Sequence, residues 1–338
     1  TTEIKYVFEQ GCGTPNFAAY QLTVVINAGT GPLNGTYNIG NGGCFDKLET
    51  AIAALNLFGI SGPVTLNLLP NNTQTAPPGG YRIFRSGDAS NPIIIRGNQN
   101  IVLASNSNGR GNINDAVFKL IGADFITMKD FDIRENALNT IVTTNQNNTT
   151  EWGVALLYLN QTNGSQNNII FNNTIRLNEN YPNTFGIYSN VKHDTSRVDR
   201  LNDIQNSTSA PNHATKIFSN TIRTTKIGIA FIGSDVPSNM DTGNEIVENR
   251  VFAWGNDNPS TFFISANPGN AGIYIFGQVT ASITDNHIVS RFINCTSLVR
   301  GIYSENGREA CPISYFIARN IITIKNTGGQ RFSGIQLI

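Results

Sequence analysis

Residues 168–177 read NNIIFNNTIR, and residues 215–224 read TKIFSNTIRT. Both contain isoleucine, two residues, asparagine, one residue, isoleucine: Ile170/Asn173/Ile175 and Ile217/Asn220/Ile222. The pattern returns at Ile246/Asn249/Val251, Ile283/Asn286/Ile288 and Ile317/Asn320/Ile322, and a weaker copy stands at Met128/Phe131/Ile133. A second motif, glycine followed by an aliphatic residue, falls between the copies: Gly153-Val154, Gly186-Ile187, Gly228-Ile229, Gly272-Ile273, Gly301-Ile302 and Gly334-Ile335. The two alternate strictly from residue 153 onward.

Repeats of variable length, built from short apolar runs of period 2, bury a face only by stacking on one another. A helical repeat would need a period of 3.6, which is absent. Each unit supplies a strand at Gly-Ile, a strand before the asparagine and a strand after it. That is one coil of an all-β parallel solenoid, with equivalent residues stacked ~4.8 Å apart. Asparagine suits the sharp corner because it tolerates left-handed backbone and its amide both donates and accepts. Asn173, Asn220, Asn249, Asn286 and Asn320 are therefore expected to form a hydrogen-bonded ladder.

Composition bounds the function. Charged residues are 14% of the 338, the formal net charge is zero, and there are 47 asparagines. Zero net charge gives no basic face for nucleic acid, and no apolar run is long enough to insert in a membrane. No cofactor motif occurs. The four cysteines include no CxxC pair and no Cys/His cluster, so no metal site is expected. Their wide spacing fits two disulfides in an oxidising compartment, with Cys12–Cys44 and Cys295–Cys311 as the expected pairs. The chain opens on Thr1 without a methionine, as a processed product or a segment of a longer protein does.

The alternating "GIY" strands and "IxxNxI" corners resemble the right-handed parallel β-helix proteins of the pectate-lyase-like superfamily, over roughly residues 92–338. The stretch LNGTYNIGNGGCFDKLETAIAALNLFGISGPVTLNLLP, residues 33–70, resembles the leading segment of β-helix modules in large secreted bacterial surface proteins. Within it Leu48, Ile52, Leu55 and Phe58 share one side of an amphipathic helix that Gly59 ends. The expected organisation is a lead-in or preceding module over 1–40, a capping helix over 41–60 and the β-helix over 61–338. The last coil, ending at SGIQLI, is expected to continue into further coils or meet another subunit, since a bare solenoid end exposes strand edges.

The resemblance implies chemistry on the outer face of the Gly-Ile strands. The outward column there reads Phe118, Ala155, Tyr188, Ala230, Tyr274, Tyr303 and Gln336, with none of the paired acids of glycoside hydrolysis and no carboxylate cluster for calcium. Tyr188, Tyr274 and Tyr303 are candidates for contact with sugars, or else strand residues packed under loops. After the asparagine corner a second outward column reads Arg134, Arg176, Arg223, Phe252, Val289, Thr323. Three arginines ~5 Å apart repel by up to ~3 kcal/mol per pair at an effective dielectric of ~20. An anionic ligand such as a uronate or sulfate would offset this, as would splaying into solvent. The loop 190–213 carries His193, Asp194, Asp199, Asp203 and His213, the best acid/base set in the chain.

The expectation is a secreted or cell-surface module with a structural or adhesive role, non-catalytic, contacting polysaccharide or glycan and neighbouring modules. The alternative is a polysaccharide lyase or glycoside hydrolase acting at the 190–213 loop.

Overall fold

The computed structural model describes residues 31–107, 114–143, 146–191, 210–234, 236–254, 270–290, 298–305, 313–325 and 331–338. Among these residues, strands form three parallel sheets of nine, eight and eight strands. Sheet 1 runs from Leu33–Ile39 to Ser314–Ala318, sheet 2 from Gln74–Thr75 to Ile321–Thr323, and sheet 3 from Tyr81–Ile83 to Phe332–Leu337. The opening stretch shows one coil: Ile169–Phe171 in sheet 1, the asparagine corner, Thr174–Arg176 in sheet 2, then Phe185–Asn190 in sheet 3. Each strand pairs in parallel with its counterparts one coil away. This is a right-handed parallel β-helix.

The motif isoleucines become interior columns. Ile170, Ile217, Ile246 and Ile283 stack in sheet 1, and Ile133, Ile175, Ile222, Val251 and Ile288 in sheet 2. All are at most 1% exposed. Burying each such side chain contributes roughly 1.5–3 kcal/mol before chain entropy is subtracted.

The glycine motif has a steric cause. A Cβ at Gly153 would lie 2.5 Å from Ile175 Cγ2 and 2.6 Å from the carbonyl oxygen of Gly186. At Gly186 it would collide with Ile222 and sit 2.7 Å from the oxygen of Gly228. Sheet 3 meets sheet 2 so closely that only hydrogen fits beside the stacked isoleucines.

The asparagines bond along their column. Asn173 Nδ2 donates to Asn220 Oδ1 at 3.0 Å, Asn220 to Asn249 at 3.0 Å, Asn249 to Asn286 at 3.0 Å and Asn286 to Asn320 at 2.9 Å. Each Oδ1 also accepts the backbone N–H of the asparagine one coil earlier. The left-handed residue of the corner is the one before the asparagine: Asn172, Ser219, Glu248, Asp285 and Arg319 have φ between 52° and 60°. The column therefore selects asparagine for its side-chain amide, and the backbone argument applied to it belongs one residue earlier.

The helix spans Leu48–Phe58, and Gly59 ends it at φ 69° with its N–H on the Leu55 carbonyl. Leu48, Ala51, Ile52 and Leu55 are buried. Asn56 Nδ2 donates to the Arg82 carbonyl at 2.7 Å, and Asn56 Oδ1 accepts the Phe84 N–H at 2.9 Å. Leu48 N–H donates to Gln74 Oε1. The helix thus occupies the open edges of sheets 2 and 3, as a cap should. Sheet 1 is closed differently. Leu33–Ile39, which the sequence reading placed in the lead-in, is the outermost strand of the solenoid, with Leu33 on Ile60 and, after a register shift, Gly35–Ile39 on Val64–Leu68.

Candidate functional site

The outer face of sheet 3 is where the sequence places its tyrosines. The register pairs Val154 with Phe118 and Ala155 with Lys119. Phe118 therefore faces the interior, and the outward column reads Arg82, Lys119, Ala155, Tyr188, Ala230, Tyr274, Tyr303, Gln336. Of the two readings of the tyrosines, burial favours the packed one: Tyr188, Tyr274 and Tyr303 are 0%, 2% and 2% exposed. They belong to a second apolar cluster with Trp152, Phe185, Ile227 and Phe276, outside the barrel of the solenoid. Tyr188 stacks on Trp152 at 4.5 Å between ring centroids, and its oxygen accepts from Asn190 Nδ2 at 2.6 Å. The hydroxyls of Tyr274 and Tyr303 donate to Glu305. The aromatic column is thus a buried layer on the outside of sheet 3.

At the start of this face lies a charged cluster that sequence reasoning missed. Asp115 is 5% exposed, and Lys119 and Glu151 are fully buried. Glu151 Oε2 accepts the Asp115 N–H at 2.7 Å, and its Oε1 accepts from Asn147 Nδ2 at 2.8 Å. Lys119 Nζ donates to the carbonyl of Asn114 and, at 3.2 Å, to Asn114 Oδ1. Burial raises Asp115 to about 7, with Lys119 opposing and Glu135 adding to the shift. Burial likewise pushes Glu151 well above the usual carboxylate range, and the Asp115 charge adds to it. Burial lowers Lys119 to about 8, helped by Arg82 and opposed by Asp115 and Glu151. Perturbed groups of this kind mark candidate sites. No sequence signal separates a buried lysine from the exposed majority, which is why these residues escaped notice.

A buried carboxyl also stands in the corner between sheets 3 and 1. Asp241 accepts the Asn212 N–H at 2.8 Å and Gln278 Nε2 at 3.1 Å, and burial raises it to about 7.

The arginine column stands as its register implies. Arg134, Arg176 and Arg223 occupy equivalent positions on consecutive strands of sheet 2, followed by Phe252, Val289 and Thr323. Arg134 is held by Asp132 on its own strand, through bonds of 3.1 and 2.5 Å. Arg176 and Arg223 are exposed. Neither has a carboxylate partner among the described residues, and Arg223 lies 5.3 Å from the Phe252 ring centroid. Directly after the three arginines come Glu135, Leu177 and Thr224. These residues, with Asn136, Asn139 and Asn178, line an open groove of about 460 Å³. Glu135 accepts from Thr150 N–H, Thr150 Oγ1 and Asn139 Nδ2, while its burial pushes its carboxyl up.

No family model matches the chain, and no curated protein matches it. Among solved structures, the chain is similar to an alginate lyase from Paenibacillus sp. str. FPU-7, at 14% identity, covering 89% of this chain and 99% of that one, with a TM-score of 0.40. It is similar also to ORF18 of Geobacillus virus E2, at 13% identity over 85% and 59% of the two chains, with a TM-score of 0.34. The fold assignment stands on the three stacked sheets alone.

Most of the candidate acid/base loop, with His193, Asp194, Asp199 and Asp203, lies outside the described residues. His213 is described, and its Nδ1 accepts the Thr242 N–H at 2.9 Å in the corner leading to sheet 1, with its pKa lowered by burial. Cys12, Cys295 and Cys311 also lie outside them, and Cys44 is exposed. No described helix is long and apolar enough to cross a membrane. No described group of three or more His, Cys, Asp or Glu is placed to hold a metal ion.

Proposed function

We propose that the chain is a secreted or cell-surface β-helix module with a structural or adhesive, non-catalytic role, which contacts anionic polysaccharide along the arginine column. The observation that carries the reading is the pair Arg176 and Arg223, exposed on adjacent coils and neither ion-paired with a described carboxylate. An anionic polymer laid along the solenoid axis would meet one guanidinium per coil, each able to grip a carboxylate or sulfate in bidentate fashion. The groove beside the column, lined by asparagines together with Glu135 and Glu179, supplies donors and acceptors for sugar hydroxyls. The covered aromatic face speaks against sheet 3 as the contact surface.

The test is binding of polygalacturonate, a sulfated glycan and a neutral glucan at low and high salt. Acidic polymers should bind at low salt, and binding should fall as the Debye length shrinks. The double variant R176Q/R223Q should lose most of it. Equal binding by the double variant would remove the column from the contact. Depolymerisation of any of these polymers, lost on Asp194→Asn or Asp199→Asn, would replace this reading with the lyase or hydrolase one.

A further inference from the structure

Lys119 points outward from sheet 3 yet has no exposed surface. Its amine reaches back along its own chain to Asn114, bonding both the main-chain carbonyl and, at 3.2 Å, the side-chain oxygen. A primary amine is thereby held in contact with a carboxamide where water is excluded. Asp115 lies next in sequence, and its Oδ2 is buried without a hydrogen-bond partner. The oxygens of Glu151 are occupied by Asp115 N–H and Asn147. We propose that Lys119 and Asn114 become joined by an intramolecular isopeptide bond, with Asp115 relaying the protons.

The step balances without any co-reactant. The Nζ lone pair attacks Asn114 Cγ, a C–N bond forms and the carbonyl pair moves onto Oδ1. Asp115, which makes no ion pair with Lys119 in the resting structure, turns its unpartnered Oδ2 toward the pair, gives its proton to Nδ2 and takes one from Nζ. The carbonyl re-forms, the Cγ–Nδ2 bond breaks and ammonia leaves. One amide replaces another, and nothing is oxidised or reduced. The reaction needs a neutral amine as nucleophile and a neutral carboxyl as acid. Burial drives both groups that way, lowering Lys119 and raising Asp115. Lys119 has no exposed surface, so the water that would hydrolyse the intermediate instead is kept out. The product would lock the approach to strand Ala116–Ile121 onto the strand itself, a covalent restraint that needs no oxidising compartment.

The test is mass spectrometry of the purified chain. After reduction of any disulfides, the intact protein should be lighter than its sequence by one ammonia. Trypsin should fail to cut after Lys119, so that residues 111–129 are recovered as one peptide without fragment ions between Asn114 and Lys119. Lys119→Arg and Asp115→Asn should each restore the full mass expected for the variant. A wild-type chain of full mass, cut normally after Lys119, overturns the proposal. So does loss of ammonia with normal cleavage there, because that result marks an asparagine cyclised on its own backbone.

Discussion

The ladder makes a prediction that depends on position, and Asn220 is the place to test it. Its Oδ1 accepts Asn173 N–H and Asn173 Nδ2, each at 3.0 Å. Its Nδ2 donates to Ile170 O at 2.8 Å, Phe218 O at 3.1 Å and Asn249 Oδ1 at 3.0 Å. Leucine in its place leaves the buried Asn173 N–H with no acceptor, while Asn173 Nδ2 keeps Met128 O at 3.2 Å. Asn249 Oδ1 also keeps a donor, the residue-220 backbone N–H. One orphaned buried donor costs about 1–3 kcal/mol, and the bonds lost from Nδ2 add roughly 0.5–1.5 kcal/mol more. The expected cost of Asn220→Leu is therefore about 2–4 kcal/mol.

Asn320 sits in the last described rung of the ladder and is only half-buried. Asn286 beneath it is fully buried, but water reaches Asn320 and can take over as acceptor for the Asn286 N–H and Nδ2 that its Oδ1 serves. Asn320→Leu should cost about 1 kcal/mol or less. Urea midpoints of the two variants measure the difference, and hydrogen exchange at the Asn173 and Asn286 amides gives a local readout should the solenoid not unfold in one step. Equal costs at the two positions, or an unchanged midpoint for Asn220→Leu, would refute the argument that a continuous buried amide column holds the corner.

The glycine column predicts the same asymmetry. Gly186→Ala should destabilise by about 1–3 kcal/mol through overpacking, whereas Gly334→Ala, with nothing within 4 Å of the added carbon, should leave the melting temperature nearly unchanged. Asp241 has a folded pKa above its unfolded one, so its contribution is fully present when protonated and is lost as pH rises from about 4 to about 7. Asp241→Asn should therefore gain in melting temperature relative to wild type between those values, and a gap independent of pH would exclude ionisation of Asp241 as the cause. Unreduced protein treated with an alkylating agent should yield no modified cysteine and should give peptides linking Cys12 with Cys44 and Cys295 with Cys311. Rapid labelling of the exposed Cys44 would remove the first bridge.

The fold was legible because it is written in columns. Ile170, Ile217 and Ile246 repeat at spacings of 47 and 29 residues, and only stacking reconciles such unequal spacing with one buried pattern. The arginine register could be counted outward from the asparagine corner because that corner never gains or loses a residue. Counting on the glycine strand went wrong at its first rung. Phe118 has no Gly-Ile pair before it, and one residue of slip exchanged the inward Phe118 for the outward Lys119. The left-handed residue was misassigned for a related reason. The eye goes to the invariant member of the corner, while the strained position is filled by asparagine, serine, glutamate, aspartate and arginine in turn.

Whether an outward residue is exposed depends on loops that follow no period, and here the two outer faces differ. On sheet 3 the tyrosines and Lys119 face outward and are covered, so that face carries a second core with its own buried charges. On sheet 2 the strands are two to five residues long, and Arg176 and Arg223 stay in solvent. A ligand for sheet 3 would have to displace packed aromatic surface and open the hydrogen bonds around Glu151 before touching Lys119 or Asp115. A ligand for sheet 2 meets two unneutralised guanidinium groups with no rearrangement at all. That difference in cost is the reason we propose the arginine face for recognition. On the same proposal the amine and carboxyls of sheet 3 act on their own chain, where burial suits a single covalent event better than repeated turnover.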